Sequence, residues 1–272
     1  MTNLLSTHTS AITKGYVEVE NLSMTFSRRG EIIHVFDTIN FKLDPGEFVC
    51  LLGPSGCGKS TVLNVIAGFL KPTSGYVFIN KRHVDGPGED RGFVFQQYSL
   101  LPWKTTFQNV EFGLKIKGVS KKERTDLVND FLNRVGLYKY RNAFPHQLSG
   151  GMQQRASIIR ALVNSPSVLL MDEPFAALDA QTRHMMQELL LDIWQEFQPT
   201  IIFVTHDIDE AVFLSDRIFV MGTNPGRIKA KVPISLPRPR YIDVKLTGEF
   251  LSLNRQIFDL IREETLKNMI HS

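Results

Sequence analysis

A chain of 272 residues with 31 Lys+Arg against 28 Asp+Glu has a formal charge of +3, too small a surplus to call for a nucleic-acid partner. Its 43% hydrophobic and 22% charged content excludes a disordered chain and predicts a sizeable core that folds alone, in one large α/β domain with a small insertion. The two cysteines, Cys50 and Cys57, lack clustered Cys or His neighbours, which excludes a disulfide framework, predicts no zinc site and suits a reducing cytosol.

The opening stretch MTNLLSTHTSAITK lacks the basic start and continuous apolar core of a signal peptide, and no later segment approaches the ~20 apolar residues that span a bilayer. Any service to a membrane is therefore expected from outside the lipid. Residues 16–26 and 34–52 alternate apolar and polar positions, with turn signals at Arg29-Gly30 and Pro45-Gly46, as antiparallel strands do. The second stretch ends in FVCLL, an unbroken apolar run typical of a strand buried on both faces. A glycine-rich loop follows, then a helix from Lys59 with Val62, Leu63, Val65, Ile66 and Leu70 on one face.

Further strands are expected at Tyr76–Ile79 and Gly92–Phe95, before a polar, helix-rich middle from about Thr105 to Leu162 that reads as the insertion. Buried-strand patterns return at Ser167–Pro174 and Thr200–His206, separated by a helix at about Ala180–Phe197, so the sheet should be largely parallel. Short strands resume over 218–232, Leu236–Arg240 reads as an extended linker outside the core, and a terminal helix spans roughly Lys245–Met269.

Residues 53–61, GPSGCGKST, match G-x-x-x-x-G-K-[ST] between a predicted strand and a predicted helix, as that pattern requires. Its glycines, Gly53, Gly56 and Gly58, let successive N–H groups wrap a β-phosphate at a helix N-terminus. Lys59 supplies a point charge to the β and γ oxygens, and Ser60 a Mg²⁺ ligand. Pro54, Ser55, Cys57 and Thr61 complete the cradle. A strand VLLMDEP brings Asp172 to its C-terminal end as a carboxylate for Mg²⁺. Glu173 follows, placed to orient or deprotonate the water attacking a γ-phosphate. Residues 148–155, LSGGMQQR, place Ser149, Gly150 and Gly151 ahead of an apolar helix, a second helix end suited to a phosphate.

This LSGG string resembles the signature of ABC ATPases, with Met152 in the usual Gln place. The resemblance covers about residues 16–230. It implies a P-loop NTPase (RecA-like) α/β core with an antiparallel β subdomain over 15–97 and 164–232, an inserted α-helical signature subdomain over 98–163, and a C-terminal linker and helix over 233–272. Gln96 is similar to the family's Q-loop glutamine, which senses Mg²⁺ and the attacking water. Asp179 in ALDA resembles the D-loop residue, and His206 in VTHD the switch histidine that contacts the γ-phosphate. Phe26 stands where the family stacks an aromatic ring, usually Tyr, on adenine, with Val35 at the opposite edge.

The resemblance further implies ATP and Mg²⁺ as cofactors, and two ATPs sandwiched between two subunits, the second an identical chain or a close paralogue, each signature closing on the other chain's cradle. Tyr98, Leu100, Leu101, Pro102, Trp103 and Phe107 fit a groove that receives a short helix of a membrane-spanning permease subunit. A solute-binding protein is an indirect partner, and the location is the cytoplasmic face of the membrane. GPGEDRGFVFQ (86–96), LLPW, NPGRI and LPRPR resemble importers of taurine, aliphatic sulfonates, nitrate or bicarbonate, with 81–96 most similar to taurine members. Residues 243–272 lie beyond every motif and are expected to be dispensable for nucleotide chemistry. A DNA-maintenance ATPase would need a long coiled-coil insertion, and a translation-associated one a second cassette. A phosphotransferase would leave LSGG, ALD and the histidine without purpose; a soluble ABC-type ATPase not tied to transport is the remote alternative.

Overall fold

A computed structural model of the chain describes residues 15–28 and 30–271. The opening stretch 1–14 and Arg29 of the expected first turn lie outside the described residues. In chain order the elements are β1 (Val17–Arg28), β2 (Glu31–Leu43), β3 (Phe48–Leu52), α1 (Lys59–Ala67), β4 (Ser74–Ile79), β5 (Arg82–His83), β6 (Arg91–Val94), α2 (Thr106–Val110), α3 (Phe112–Ile116), α4 (Lys121–Arg134), α5 (Gly150–Leu162), β7 (Val168–Asp172), α6 (Ala180–Phe197), β8 (Thr200–Thr205), α7 (Ile208–Leu214), β9 (Arg217–Gly222), β10 (Arg227–Pro233) and α8 (Gly248–His271). Two compact units result: residues up to Gly88 with those from Gln198 onward, and residues Glu89–Phe197.

The first unit holds two sheets. An antiparallel sheet in the order β2-β1-β4-β5 grows from the alternating stretches, with register shifts in β1 between Val19 and Thr25 that curve the hairpin. In the other sheet β3 lies between β8 and β9 and runs parallel to both, while β10 adds an antiparallel edge. Every residue of β3 and β8 is buried, as their unbroken apolar sequences demand.

Helix α1 buries Val62, Leu63, Val65 and Ile66. It stops at Gly68, whose left-handed φ of 80° turns its N–H back onto the Asn64 and Val65 carbonyls. Leu70, expected on the same helical face, therefore lies past the helix end. A Cβ on Gly68 would meet the Gly86 carbonyl oxygen at 2.2 Å, so only glycine fits this stop.

The second unit pairs β6 with β7 in parallel and packs α2 and α4 against α5, with α3 against α2 and α4. Thr105 and Gln108 close a capping box on α2. Buried Asn109 donates to the carbonyls of Leu101, Lys104 and Thr105 and accepts from the Leu101 N–H, pinning the loop before the helix.

The tail differs from expectation. Leu236–Arg240 is no free linker, because Leu236 and Arg240 are buried. Arg240 donates to the carbonyls of Val212, Phe213, Ser215 and Leu236. A guanidinium can be buried when its donors all find acceptors, a condition composition cannot reveal. After a 3₁₀ turn at Ile242–Leu246, α8 buries Phe250 and Ile257 against α7 and β9, so the tail belongs to the core of its unit.

Candidate functional site

In the first unit, the loop from Gly53 to Gly58 joins β3 to α1. Gly56 and Gly58 hold φ of 80° and 94°, a left-handed path that a Cβ disfavours. Gly58 is also the N-cap of α1, with no side chain to cap the turn and no acidic residue in the first turn, which leaves the positive helix end to an anion. A Cβ on Gly58 would press on Phe36 and Val35 at 3.1 and 3.2 Å, and one on Gly53 on the Met221 carbonyl oxygen at 2.6 Å, whereas Gly56 faces open space. The loop is thus wedged behind and open in front, a shape that fits a phosphate chain.

Lys59 is 6% exposed, and its Nζ donates to the carbonyls of Gly53 and Pro54 at 2.7 and 2.9 Å. The cation is thereby held across the mouth of the loop. Cys57 is buried within the same loop, 3.7 Å from Lys59 Nζ. Burial pushes its thiol up despite that neighbouring charge, so it is not a reactive thiolate at neutral pH.

Val35 on β2 backs Gly58, and its carbonyl accepts from the Gly226 N–H at 2.9 Å. Gly226 lies in the NPGRI turn between β9 and β10, and a Cβ there would meet the Cys57 carbonyl oxygen at 2.3 Å. In the sequence NPGRI is only a subgroup string, and nothing local to it discloses this contact with the loop. Phe26 on β1 is 41% exposed, its ring available for stacking. His206, directly after β8, is also exposed, and the Thr205 hydroxyl accepts from the Asp207 N–H at 3.1 Å behind it.

In the second unit, β7 ends at Asp172, and Glu173 follows with a φ of +44°, a conformation that costs a non-glycine residue about 1–3 kcal/mol and concentrates at working sites. The Glu173 carboxylate accepts from Gln96 Nε2 at 3.2 Å, so the carboxylate and the glutamine beyond β6 stand together. Ser149 caps α5, its hydroxyl accepting from the Met152 N–H at 3.3 Å. The tip of the Tyr98 side chain faces Gly150, its hydroxyl 2.7 Å from where an added Cβ would lie, and Gly151 abuts Thr182 and Leu178. No sequence signal pairs Tyr98 with Gly150.

Asp179 accepts from the Thr182 N–H at 3.0 Å at the start of α6, and that bond holds its carboxyl below the usual aspartate range. The loop pinned by Asn109 presents Trp103 with 70% of its surface exposed, while Leu100, Leu101 and Phe107 are half-buried.

Among the described residues no helix is long and apolar enough to cross a membrane. The chain matches the ABC transporter family over residues 36–176. It is 47% identical over 254 residues to the nitrate import ATP-binding protein of Synechocystis sp., covering 91% of this chain and 95% of that one. It is 45% identical over 258 residues to a taurine import ATP-binding protein of Rhizobium johnstonii, covering 94% and 97%. A dimeric ATP-binding cassette solved in a post-hydrolysis state with ADP and Pi superposes with a TM-score of 0.73 at 36% identity, over 81% of this chain and all of that one. A glycine loop wedged behind and open in front at a helix end, a glutamate on strained backbone after a buried strand, a capped LSGG helix and these likenesses together place the chain in the ABC transporter family, as an ATP-binding, ATP-hydrolysing cassette of P-loop α/β fold.

Proposed function

We propose that this cassette powers an importer of a small anion or sulfonate, with taurine or an aliphatic sulfonate as the solute. It works as one of two ATP-binding subunits beneath membrane-spanning permease subunits, at the cytoplasmic face of the membrane, supplied by a solute-binding protein. The observation that carries the catalytic part is the Glu173 carboxylate, strained in its backbone and held by Gln96. Phe26 and Val35 receive the adenine edge, and Gly53–Thr61 wraps the phosphates with Lys59 on the β and γ oxygens. Mg²⁺, when bound, neutralises phosphate charge, and Ser60, Asp172 and Gln96 are the side chains that would hold it.

Glu173 orients the attacking water and takes its proton, and His206 supports the γ-phosphate. In a partner subunit that is a second copy, or at the matching positions of a close paralogue, Ser149, Gly150 and Gly151 offer their helix end to the same nucleotide, with Asp179 beside them. Closure of the pair and its release after hydrolysis then move the permease helices docked near Tyr98–Phe107.

Glu173→Gln keeps size and hydrogen bonding but removes the charge. Nucleotide binding should survive while turnover falls by ~10²- to 10⁴-fold, and with Mg-ATP a dimer should accumulate in size-exclusion chromatography. Turnover within a few-fold of the unsubstituted chain would reject the assignment. Nitrate is the second reading, favoured by the 47% identity to the nitrate importer subunit. ATPase rates of the reconstituted transporter with taurine, alkanesulfonates, nitrate and bicarbonate separate the two.

A further inference from the structure

Helix α7 begins two residues after His206, and both of its ends are held by the C-terminal segment. At its N-terminal end, Asp207 caps the Glu210 N–H at 3.1 Å, and Asn254 of α8 donates through Nδ2 to Asp209. At its C-terminal end, the carbonyls that a helix leaves without internal partners are all taken. The Ala211 carbonyl accepts from the Ser215 N–H and hydroxyl at 3.1 and 2.7 Å. Those of Val212 and Phe213 accept from Arg240 at 3.2 and 3.0 Å. That of Leu214 accepts from Arg238 at 2.7 Å, and that of Ser215, just beyond, from Arg240 at 2.8 Å.

Two cations at a helix C-terminus also match its dipole. Burial lowers the Arg240 guanidinium to about 10, which leaves it charged at neutral pH. Arg238 further grips Asp216, whose other carboxylate oxygen accepts from the Phe48 N–H at 2.9 Å at the head of the strand that feeds the phosphate loop. Lys245 lies over the Phe213 ring at 4.8 Å, and Phe250 and Ile257 are buried.

We propose that the segment from Leu236 to Ile257 is a clamp that fixes α7 and thereby sets where His206 stands, with Arg240 as its principal positioning residue. The clamp rests on the reading of His206 as a γ-phosphate contact for its effect on rate, but not for its effect on the position of the imidazole. It reverses the expectation that the tail is dispensable for nucleotide chemistry.

The test uses the full chain with ¹³C-labelled histidine, the His206 signal being assigned by its loss in His206→Ala. Arg240→Met is expected to displace the His206 signal and leave those of the distant histidines in place, with Arg240→Lys partly restoring it. Turnover should fall on the order of 10- to 100-fold, the size of effect that small misplacements from remote changes produce, with KM for ATP unchanged. A folded Arg240→Met chain whose His206 signal coincides with that of the unsubstituted chain overturns the proposal. Should Arg240→Met fail to fold, Asn254→Ala decides: a displaced His206 signal supports the clamp, and a coincident one refutes it. If the signal moves while His206→Ala keeps full turnover, the clamp stands and the catalytic role of His206 falls.

Discussion

The contact between the NPGRI turn and the phosphate cradle makes a quantitative prediction. In Gly226→Ala the new Cβ would sit 2.3 Å from the Cys57 carbonyl oxygen, 2.8 Å from that of Val35 and 3.0 Å from Phe36 Cβ. Ordinary contact begins near ~3.5 Å, so the turn or the cradle must give by roughly 1 Å. Retreat of the turn breaks two backbone bonds, Gly226 N–H to Val35 and Asp37 N–H to Gly226, each 2.9 Å. Those bonds contribute about 0.5–1.5 kcal/mol each and overpacking costs about 1–3 kcal/mol, for a total of about 2–6 kcal/mol.

At ~2–4 °C per kcal/mol for a chain of this size, Tm should fall by roughly 4–24 °C. The part of that strain carried by the cradle lowers ATP affinity, tenfold for each ~1.4 kcal/mol. Differential scanning fluorimetry and titration with a fluorescent ATP analogue read the two effects. Gly248→Ala is the control, because an added Cβ there meets nothing within 4 Å. A Gly226→Ala chain matching that control in both measurements refutes the argument that the turn braces the cradle.

Trp103→Ala should leave Tm and basal turnover close to unchanged, because a side chain 70% exposed contributes little to the fold, while recovery of the permease on affinity purification drops; loss of folding instead would return Trp103 to the core. Ser149→Arg removes the hydroxyl cap on α5 at a cost of about 0.5–2 kcal/mol. It should still leave ATP binding to the isolated chain intact and suppress hydrolysis, and an equal loss of binding contradicts a site completed by a second copy. Slow alkylation of Cys57 by iodoacetamide at neutral pH is expected from its buried, raised thiol; rapid alkylation would show that the thiol is accessible and contradict its burial.

Much of the site was legible because its chemistry is written in contiguous residues. A buried run FVCLL leading into GPSGCGKST specifies strand, turn and helix by local physics alone: apolar faces on both sides of a strand, glycines where φ turns positive, and a helix end that lacks a cap. The same holds for VLLMDEP and for the Ser149 cap of α5. What sequence could not disclose are contacts whose partners lie far apart along the chain. Gly226 is required by the carbonyls of Val35 and Cys57, Gly150 faces the Tyr98 hydroxyl, and the burial of Arg240 depends on the carbonyls at the end of α7. In composition Leu236–Arg240 is a solvated linker; Leu236 and Arg240 became core only because tertiary folding brought them to a helix end whose carbonyls needed donors, where the Arg240 guanidinium loses water but finds acceptors for its N–H groups.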